Sequence, residues 1–195
     1  MMLLYIGGAA SGKSELAEKR AIELSENNHA EGLPLYYIAT MQRTDAESEE
    51  RIKRHRERRK GTAFQTIEAP AELSEAVRRE GVPENSIVLL ECLSNLAANS
   101  FFAPENEKSR TENPEAFRGQ LSDRLFSELT ELEERVGYLI IVSNNLFCSS
   151  EKYDKDTSDY LRFLSVLNIR LAERAEEVTE AVAGTGVPLK RCKVM

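Results

Sequence analysis

A chain of 195 residues with 41% hydrophobic and 30% charged residues has the composition of one globular α/β domain that can bury a substantial core. Its formal net charge of −7 argues against general binding to nucleic acid or to an anionic membrane surface. No stretch approaches the roughly 18 apolar residues that span a bilayer, and the apolar start is too short for a signal peptide. The three cysteines, Cys92, Cys148 and Cys192, are far apart and odd in number, which indicates reduced thiols in a cytoplasmic protein.

Along the chain, apolar runs of strand length alternate with amphipathic runs of helix length. The predicted strands are 2–6, 35–39, 64–68, 86–91, 138–143 and 178–183. The predicted helices are 15–26, 46–58, 71–79, 92–102, 117–136 and 157–176, with connections at 103–114 and 144–156 and a tail from 184 to 195. Such alternation predicts right-handed crossovers, and hence a mostly parallel sheet with helices on both faces, in a single domain over 1–195.

The first strand is followed by a glycine-rich loop that fits the phosphate-binding pattern G-x-x-x-x-G-K-[ST]. Its residues are Gly7, Gly8, Ala9, Ala10, Ser11, Gly12, Lys13 and Ser14. A strand, this loop and a helix together aim backbone N–H groups and a helix N-terminus at an anion. Lys13 is expected to reach the outer phosphates of a nucleoside triphosphate, and the Ser14 hydroxyl to bind Mg²⁺.

Ligands of parallel sheets bind at the carboxyl ends of the strands, which predicts that the loop lies near Thr40, Glu91 and Asn144. Phosphate-loop proteins commonly hold Mg²⁺ with an acid at the end of a second buried strand. Glu91 ends the apolar run 87–90, so it is the candidate for the metal side of the site or for a base. The alternative is an acid that caps the following helix. Cys92, beside it, is expected to be a small buried hydrophobic residue.

A basic run, Arg51-Ile52-Lys53-Arg54-His55-Arg56, follows the second strand. Its neighbouring acids favour a solvated helix face, which is one interpretation of the run. His55 is one of only two histidines, and cationic neighbours disfavour imidazolium, so its ring nitrogen can act as a nucleophile or base. Catalysis at His55 is therefore the other interpretation.

Taken together, the motifs resemble the bifunctional adenosylcobinamide kinase / adenosylcobinamide-phosphate guanylyltransferase family of cobalamin biosynthesis. The resemblance covers most of the chain. It rests on Gly7 to Ser14, Tyr37-Ile38-Ala39-Thr40, Glu50-Arg51-Ile52 with His55, Leu89-Leu90-Glu91-Cys92-Leu93 with Asn95-Leu96, Val142-Ser143-Asn144, Asn168, Gly186 and Lys190.

This resemblance implies two reactions. One phosphorylates the aminopropanol hydroxyl of adenosylcobinamide with ATP or GTP, and the other transfers GMP from GTP to that phosphate through a guanylyl-histidine. His55 matches the guanylylated histidine, and Glu91 matches the acid near the nucleotide. The resemblance also implies a homo-oligomer, a trimer in well-known members, with the His55 helix near a subunit boundary.

The sequence departs from the family pattern at a few positions. Arg54 replaces the first histidine of a pair, Asn145 replaces an acid, and Arg162 and Ser165 replace an aspartate and a glycine. The latter three lie after the fifth strand and in the last helix, where a corrinoid or a neighbouring subunit would be recognised. Two alternatives therefore stay open: a small-molecule kinase without nucleotidyl transfer, and a regulatory nucleotide-binding protein. The sequence carries no N-K-x-D motif that would select GTP over ATP.

Overall fold

The computed structural model describes residues 1–28, 32–42, 62–145 and 153–191, so the helix expected over 46–58 lies outside the described residues. The strands are β1 (Met2–Gly7), β2 (Leu35–Ala39), β3 (Phe64–Glu68), β4 (Ile87–Glu91), β5 (Tyr138–Asn144), β6 (Glu177–Val182) and β7 (Thr185–Lys190). The helices are α1 (Lys13–Asn28), α2 (Leu73–Arg79), α3 (Leu93–Phe101), α4 (Glu107–Glu112), α5 (Pro114–Arg135) and α6 (Lys155–Arg174), with a 3₁₀ turn at Pro104–Asn106.

These strands form one sheet in the order β3-β2-β4-β5-β1-β6-β7, in which only β7 is antiparallel to its neighbour among the described strands. The predicted fold class, a mostly parallel sheet with helices on both faces, is confirmed. β1 lies between β5 and β6, whereas β4 is separated from β1 by β5. The carboxyl ends of β1, β2, β4 and β5 therefore lie along one edge of the sheet.

Strand side chains alternate between two hydrophobic cores, as the pleat requires. On one face, Leu3, Tyr5 and Leu89 pack with Ala17 and Ala21 of α1. On the other face, strand residues pack with apolar residues of α2, α3, α5 and α6; the buried residues from these helices include Leu73, Val77, Leu93, Leu96, Leu121, Leu125, Leu129, Phe163, Leu164, Leu167 and Leu171. The small alanines let the start of α1 lie close to the sheet, which places the glycine-rich loop over the strand ends.

The expected tail from residue 184 is wrong, because β6 and β7 form a hairpin. Its two-residue turn has positive φ at both positions, 48° at Ala183 and 78° at Gly184, as tight hairpin turns require. Gly186 and Pro188 obscured the strand in the sequence, since both residues are rare inside strands. Pro188 belongs to the edge strand, where the missing N–H discourages pairing with another chain.

The connection expected over 103–114 is also corrected, since it contains the 3₁₀ turn and α4. No residue of α4 is buried, so the sequence shows no apolar stripe there. Lys190 of β7 has a structural role: its ammonium group donates hydrogen bonds to Ala172 O (3.2 Å) and Glu173 O (2.7 Å) in the last turn of α6. None of the described helices is both long enough and apolar enough to traverse a bilayer.

Candidate nucleotide site

The glycine-rich loop joins β1 to α1 and turns sharply, with φ of 54° at Ala10 and 88° at Gly12. Gly12 is required for a second reason, because a Cβ there would lie 2.9 Å from the Cα of Gly184. The Gly184 N–H donates to Ser11 O at 2.9 Å, so the β6–β7 turn rests directly on the loop. The hairpin that the sequence did not reveal thus supports the loop from outside.

The first two carbonyl groups of the loop accept hydrogen bonds from other groups of the protein. Gly7 O accepts from Asn145 N at 2.8 Å, and Gly8 O accepts from Ser11 N at 3.3 Å and from the Lys13 ammonium at 3.0 Å. Lys13 is 9% exposed, so its charge lies over the loop rather than in bulk solvent. The loop carbonyls are thus occupied by hydrogen bonds within the protein, and the N-terminus of α1 faces the loop. Together with the Lys13 ammonium, this arrangement gives the loop a positive potential that can bind an anion.

Beside the loop, the Ser14 hydroxyl donates to Glu91 Oε1 at 2.6 Å. Glu91 Oε2 is buried and has no hydrogen-bond partner in the described part of the chain. An unpartnered buried carboxylate oxygen is costly without a cation nearby. Hydroxyl and carboxylate oxygens are ligands that Mg²⁺ prefers, so the pair fits such an ion.

The Ser14–Glu91 pair would not complete a coordination shell alone. Residues 1–28, 32–42, 62–145 and 153–191 hold no group of three or more His, Cys, Asp or Glu side chains suited to a metal ion. Mg²⁺ characteristically takes few protein ligands and completes its shell with phosphates and water. The capping alternative for Glu91 does not match the geometry, because its carboxylate bonds Ser14 while the backbone of Cys92 forms the N-cap of α3.

The backbone of Glu91 and Cys92 is held by Thr40, the first residue after β2. Thr40 N–H donates to Glu91 O at 3.1 Å, and its hydroxyl accepts from Cys92 N and donates to Cys92 O, both at 2.8 Å. Asn99 of α3 in turn donates to Thr40 O at 2.8 Å. The ends of β2 and β4 are thereby fastened together beside the loop.

The end of β5 is hydrogen-bonded to α3, which is in turn hydrogen-bonded to α6. Asn144 N donates to Ser94 Oγ at 3.0 Å, and the Tyr160 hydroxyl donates to Ser94 O at 2.8 Å. Burial raises the pKa of the Tyr160 hydroxyl, which keeps it a donor. This chain of contacts connects α6 to the strand edge that carries the loop.

Cys92 lies under the site as a free, buried thiol, and burial raises its pKa. Cys92 is 7% exposed, so the expectation of a small buried hydrophobic residue is confirmed. A buried neutral thiol is also a poor nucleophile. Cys148 and Cys192 lie outside the described residues.

The predicted site residues fall into three sets. The loop, Thr40, Glu91 and Asn144 lie together at the carboxyl edge, as expected. His55, with the basic run around it, lies outside the described residues. Arg162 and Ser165 line a groove of about 800 Å³ between α5 and α6, apart from the loop.

Three residues at the site escaped the sequence analysis: Ser94, Asn99 and Gly184. Ser94 and Asn99 lie on a helix that was predicted, but polar residues on a helix carry no signal of which strand ends they contact. Gly184 carried only a weak signal, a glycine between two short segments that contain Val178, Val182 and Val187, because Ala-Gly is not among the dipeptides typical of tight hairpin turns.

The chain is similar to known proteins over nearly its whole length. The profile of the family described as "Cobinamide kinase / cobinamide phosphate guanyltransferase" matches residues 3–189. The "Bifunctional adenosylcobalamin biosynthesis protein CobP" of Pseudomonas aeruginosa is 34% identical over 187 residues, which are 96% of each chain. The "Bifunctional adenosylcobalamin biosynthesis protein CobU" of Escherichia coli is 29% identical, over 97% of this chain and all of that protein.

One solved structure adds a likeness of fold alone. A protein from Pyrococcus horikoshii OT3 superposes with a TM-score of 0.51 at 11% identity, over 99% of this chain and 87% of the other.

Proposed function

Since the chain belongs to the cobinamide kinase / cobinamide phosphate guanyltransferase family, an enzyme family of transferases, we propose that it catalyses both reactions on adenosylcobinamide. The first is phosphorylation of the aminopropanol hydroxyl, and the second is transfer of GMP from GTP onto the resulting phosphate. The observation that carries the proposal is the Ser14–Glu91 pair, with its unpartnered carboxylate oxygen, beside a complete phosphate loop.

For the kinase reaction, the substrate hydroxyl attacks the γ-phosphorus while the bond to the β-phosphate oxygen breaks. The loop N–H groups and the Lys13 ammonium hold the phosphates and stabilise the charge that develops on them. Ser14 and Glu91 would hold Mg²⁺, which neutralises phosphate charge when it is bound. Glu91, whose Oε2 is buried and unpartnered in the described residues, is also the candidate to accept the hydroxyl proton.

For guanylyl transfer, a neutral His55 nitrogen attacks the α-phosphorus of GTP, so an N–P bond forms and pyrophosphate leaves. The same loop then stabilises the leaving pyrophosphate rather than a transferring γ-phosphoryl group. In the second half, a phosphate oxygen of adenosylcobinamide phosphate attacks the phosphorus and the N–P bond breaks, which regenerates His55. The sequence match at Arg51-Ile52 and His55 supports this step.

Incubation with α-labelled GTP and Mg²⁺ tests the proposal. We expect acid-labile covalent label on the wild-type protein, none on His55→Ala, and normal label on His29→Ala, the matched control at the other histidine. Phosphorylation of adenosylcobinamide is expected to survive His55→Ala and to be lost in Lys13→Ala. Wild-type protein that phosphorylates adenosylcobinamide without taking up label would favour the kinase-only alternative.

A regulatory nucleotide-binding protein is the second candidate, and the departures from the family pattern at Asn145 and Arg162 favour it; Arg162 lines the groove between α5 and α6, together with Ser165. A family pattern of aspartate and glycine is replaced there by a cation and a hydroxyl. Tight GTP binding without turnover of either cobinamide substrate would select this candidate.

We extend the proposal to assembly and location. A homo-oligomer is proposed on the resemblance to the family, and light scattering of the purified protein measures it. A cytoplasmic location is proposed because the thiol of Cys92 is free and buried. We propose also that residues 1–195 form one domain.

A further inference from the structure

We propose that Thr40 is a positioning residue that acts through Glu91 to set the affinity of the nucleotide site for Mg²⁺. This inference rests on the proposed function, because it takes the Ser14–Glu91 pair to be the metal side of that site. Thr40 itself has no assigned role beyond belonging to a sequence match at the end of β2.

Thr40 is 0% exposed, and its polar groups are committed to neighbouring residues. Its N–H bonds Glu91 O, its hydroxyl both donates to and accepts from Cys92, and its carbonyl accepts from Asn99. A side chain that is enclosed and bonded in this way is not available to touch a substrate. Its influence on the site must therefore pass through the residues that it holds.

Three of these four hydrogen bonds end on the backbone of Glu91 and Cys92. They fix the point from which the Glu91 side chain leaves the end of β4. The side chain itself has one polar contact in the described residues, from Ser14 to Oε1 at 2.6 Å, while Oε2 is unpartnered. The carboxylate is thus anchored at its backbone by Thr40 and at its tip by a residue of the phosphate loop.

A hydroxyl is needed for this anchoring, since one group both donates to Cys92 O and accepts from Cys92 N. Valine has nearly the same shape and would occupy the buried space, but it would leave the Cys92 N–H unpaired and Cys92 O with only its bond from Leu96 N at 3.2 Å. The Glu91–Cys92 junction would then relax, and the carboxylate would lose its fixed relation to Ser14. Hard cations such as Mg²⁺ tolerate little deviation in ligand geometry, so metal affinity is the property most exposed to this change.

The test measures binding of a fluorescent GTP analogue to the intact protein at increasing Mg²⁺ concentration. Thr40→Val is expected to raise the half-saturating Mg²⁺ concentration about tenfold, while affinity for the analogue without metal stays within about twofold. Thr40→Ser, which keeps the hydroxyl, is expected to show the wild-type Mg²⁺ dependence. Unchanged Mg²⁺ dependence in Thr40→Val, or a shift in Thr40→Ser as large as that in Thr40→Val, would overturn the proposal.

A double-mutant cycle separates a positioning role from a general structural one. If Thr40 acts through Glu91, Thr40→Val adds no further shift in half-saturating Mg²⁺ to a Glu91→Gln protein. Additive shifts would overturn the proposal. Thr40→Ala, which removes the hydroxyl together with the γ-methyl group, must reproduce the valine result. Wild-type protein that fails to bind the analogue in a Lys13-dependent manner would instead contradict the proposed function.

Discussion

Ser14 and Glu91 are 77 residues apart in sequence, yet the serine hydroxyl donates a 2.6 Å hydrogen bond to the glutamate carboxylate. β1, which leads into the loop before Ser14, and β4, which ends at Glu91, are not neighbours, since β5 lies between them. Two strand spacings are about 9.5 Å, which a direct contact between strand ends cannot cover. Ser14 lies in the first turn of α1, and this helix packs against β1, β5 and β4, which brings the serine hydroxyl to Glu91.

Replacing Glu91 by glutamine tests the charge of this pair. Glu91→Gln keeps an acceptor for Ser14 but removes the anion, so Mg²⁺-dependent binding of nucleotide is expected to weaken at least about tenfold. The kinase rate is expected to fall by about two orders of magnitude. Isothermal titration with and without Mg²⁺ measures the first effect, and Glu84→Gln, on an exposed turn, is the control. Equal losses in both variants would remove Glu91 from the metal side of the site.

Two lysines of α1 give a matched pair for the anion site. Lys13 lies over the loop, whereas the Lys19 side chain is 75% exposed. Lys13→Ala is expected to weaken nucleoside-triphosphate binding by about 2 kcal/mol or more, roughly thirtyfold, because a buried charge-assisted contact is lost. Lys19→Ala is expected to change it by less than about twofold, as exposed charges contribute little. Similar affinities for both variants would mean that the phosphates do not bind at Lys13.

Substituting Gly12 in the loop and Gly119 in a helix by alanine is expected to change the stability of the protein in opposite directions. Gly12→Ala is expected to destabilise the protein by about 1–3 kcal/mol and to abolish nucleotide binding, because φ is 88° and a Cβ would meet Gly184. Gly119→Ala, in the interior of α5 with open space around the position, is expected to stabilise by about 0.5–1 kcal/mol. Urea unfolding of the two variants measures both signs. A Gly12→Ala protein with unchanged stability would refute the close packing of the loop on the hairpin turn.

Tyr5 on β1 predicts the response to alkaline pH. Burial, aided by Glu177 and Glu23, raises the pKa of Tyr5 from 10.0 to about 12. The folded protein therefore keeps the phenol proton at a pH where the unfolded chain loses it, so this contribution is complete below pH 10 and is lost as the pH rises from 10 to 12. The decrease in unfolding free energy over that range is expected to be about 2 kcal/mol smaller in Tyr5→Phe. Urea unfolding at several pH values measures the unfolding free energy of both proteins. The same decrease between pH 10 and 12 in wild type and Tyr5→Phe would contradict the prediction.

Much of the fold followed from the sequence because the central parallel strands, β1, β2, β4 and β5, are buried on both faces and appear as continuous apolar runs, whereas β3 and β6 are partly buried. The bounds predicted for β2 and β3 agree with the structure, those for β1, β4 and β5 differ by one residue at one end, and those for β6 by one residue at both ends. The antiparallel β7 gave no such run, since Val187 and Leu189 alternate with Gly186 and Pro188 and are exposed. Apolar patterning reports burial, and β7 is little buried.

The site could be predicted only in part, for a related reason. Gly7 to Ser14 and Glu91 follow from local patterns plus the rule that ligands bind at the carboxyl edge. The contacts of Asn99 with Thr40 O and Pro70 O depend on where α3 crosses that edge, which no local pattern encodes. The role of His55 stays a prediction that the labelling experiment must test.

The position of β1 also has a consequence in time. β1 precedes its partners in the sheet, β5 and β6, so residues 138–144 and 177–182 must be synthesised before β1 has neighbours on both sides. Until then a growing chain on the ribosome carries an unpaired apolar strand, and its folding waits on contacts between distant residues. The phosphate loop that follows β1 is thus synthesised well before the strands that make it competent to bind.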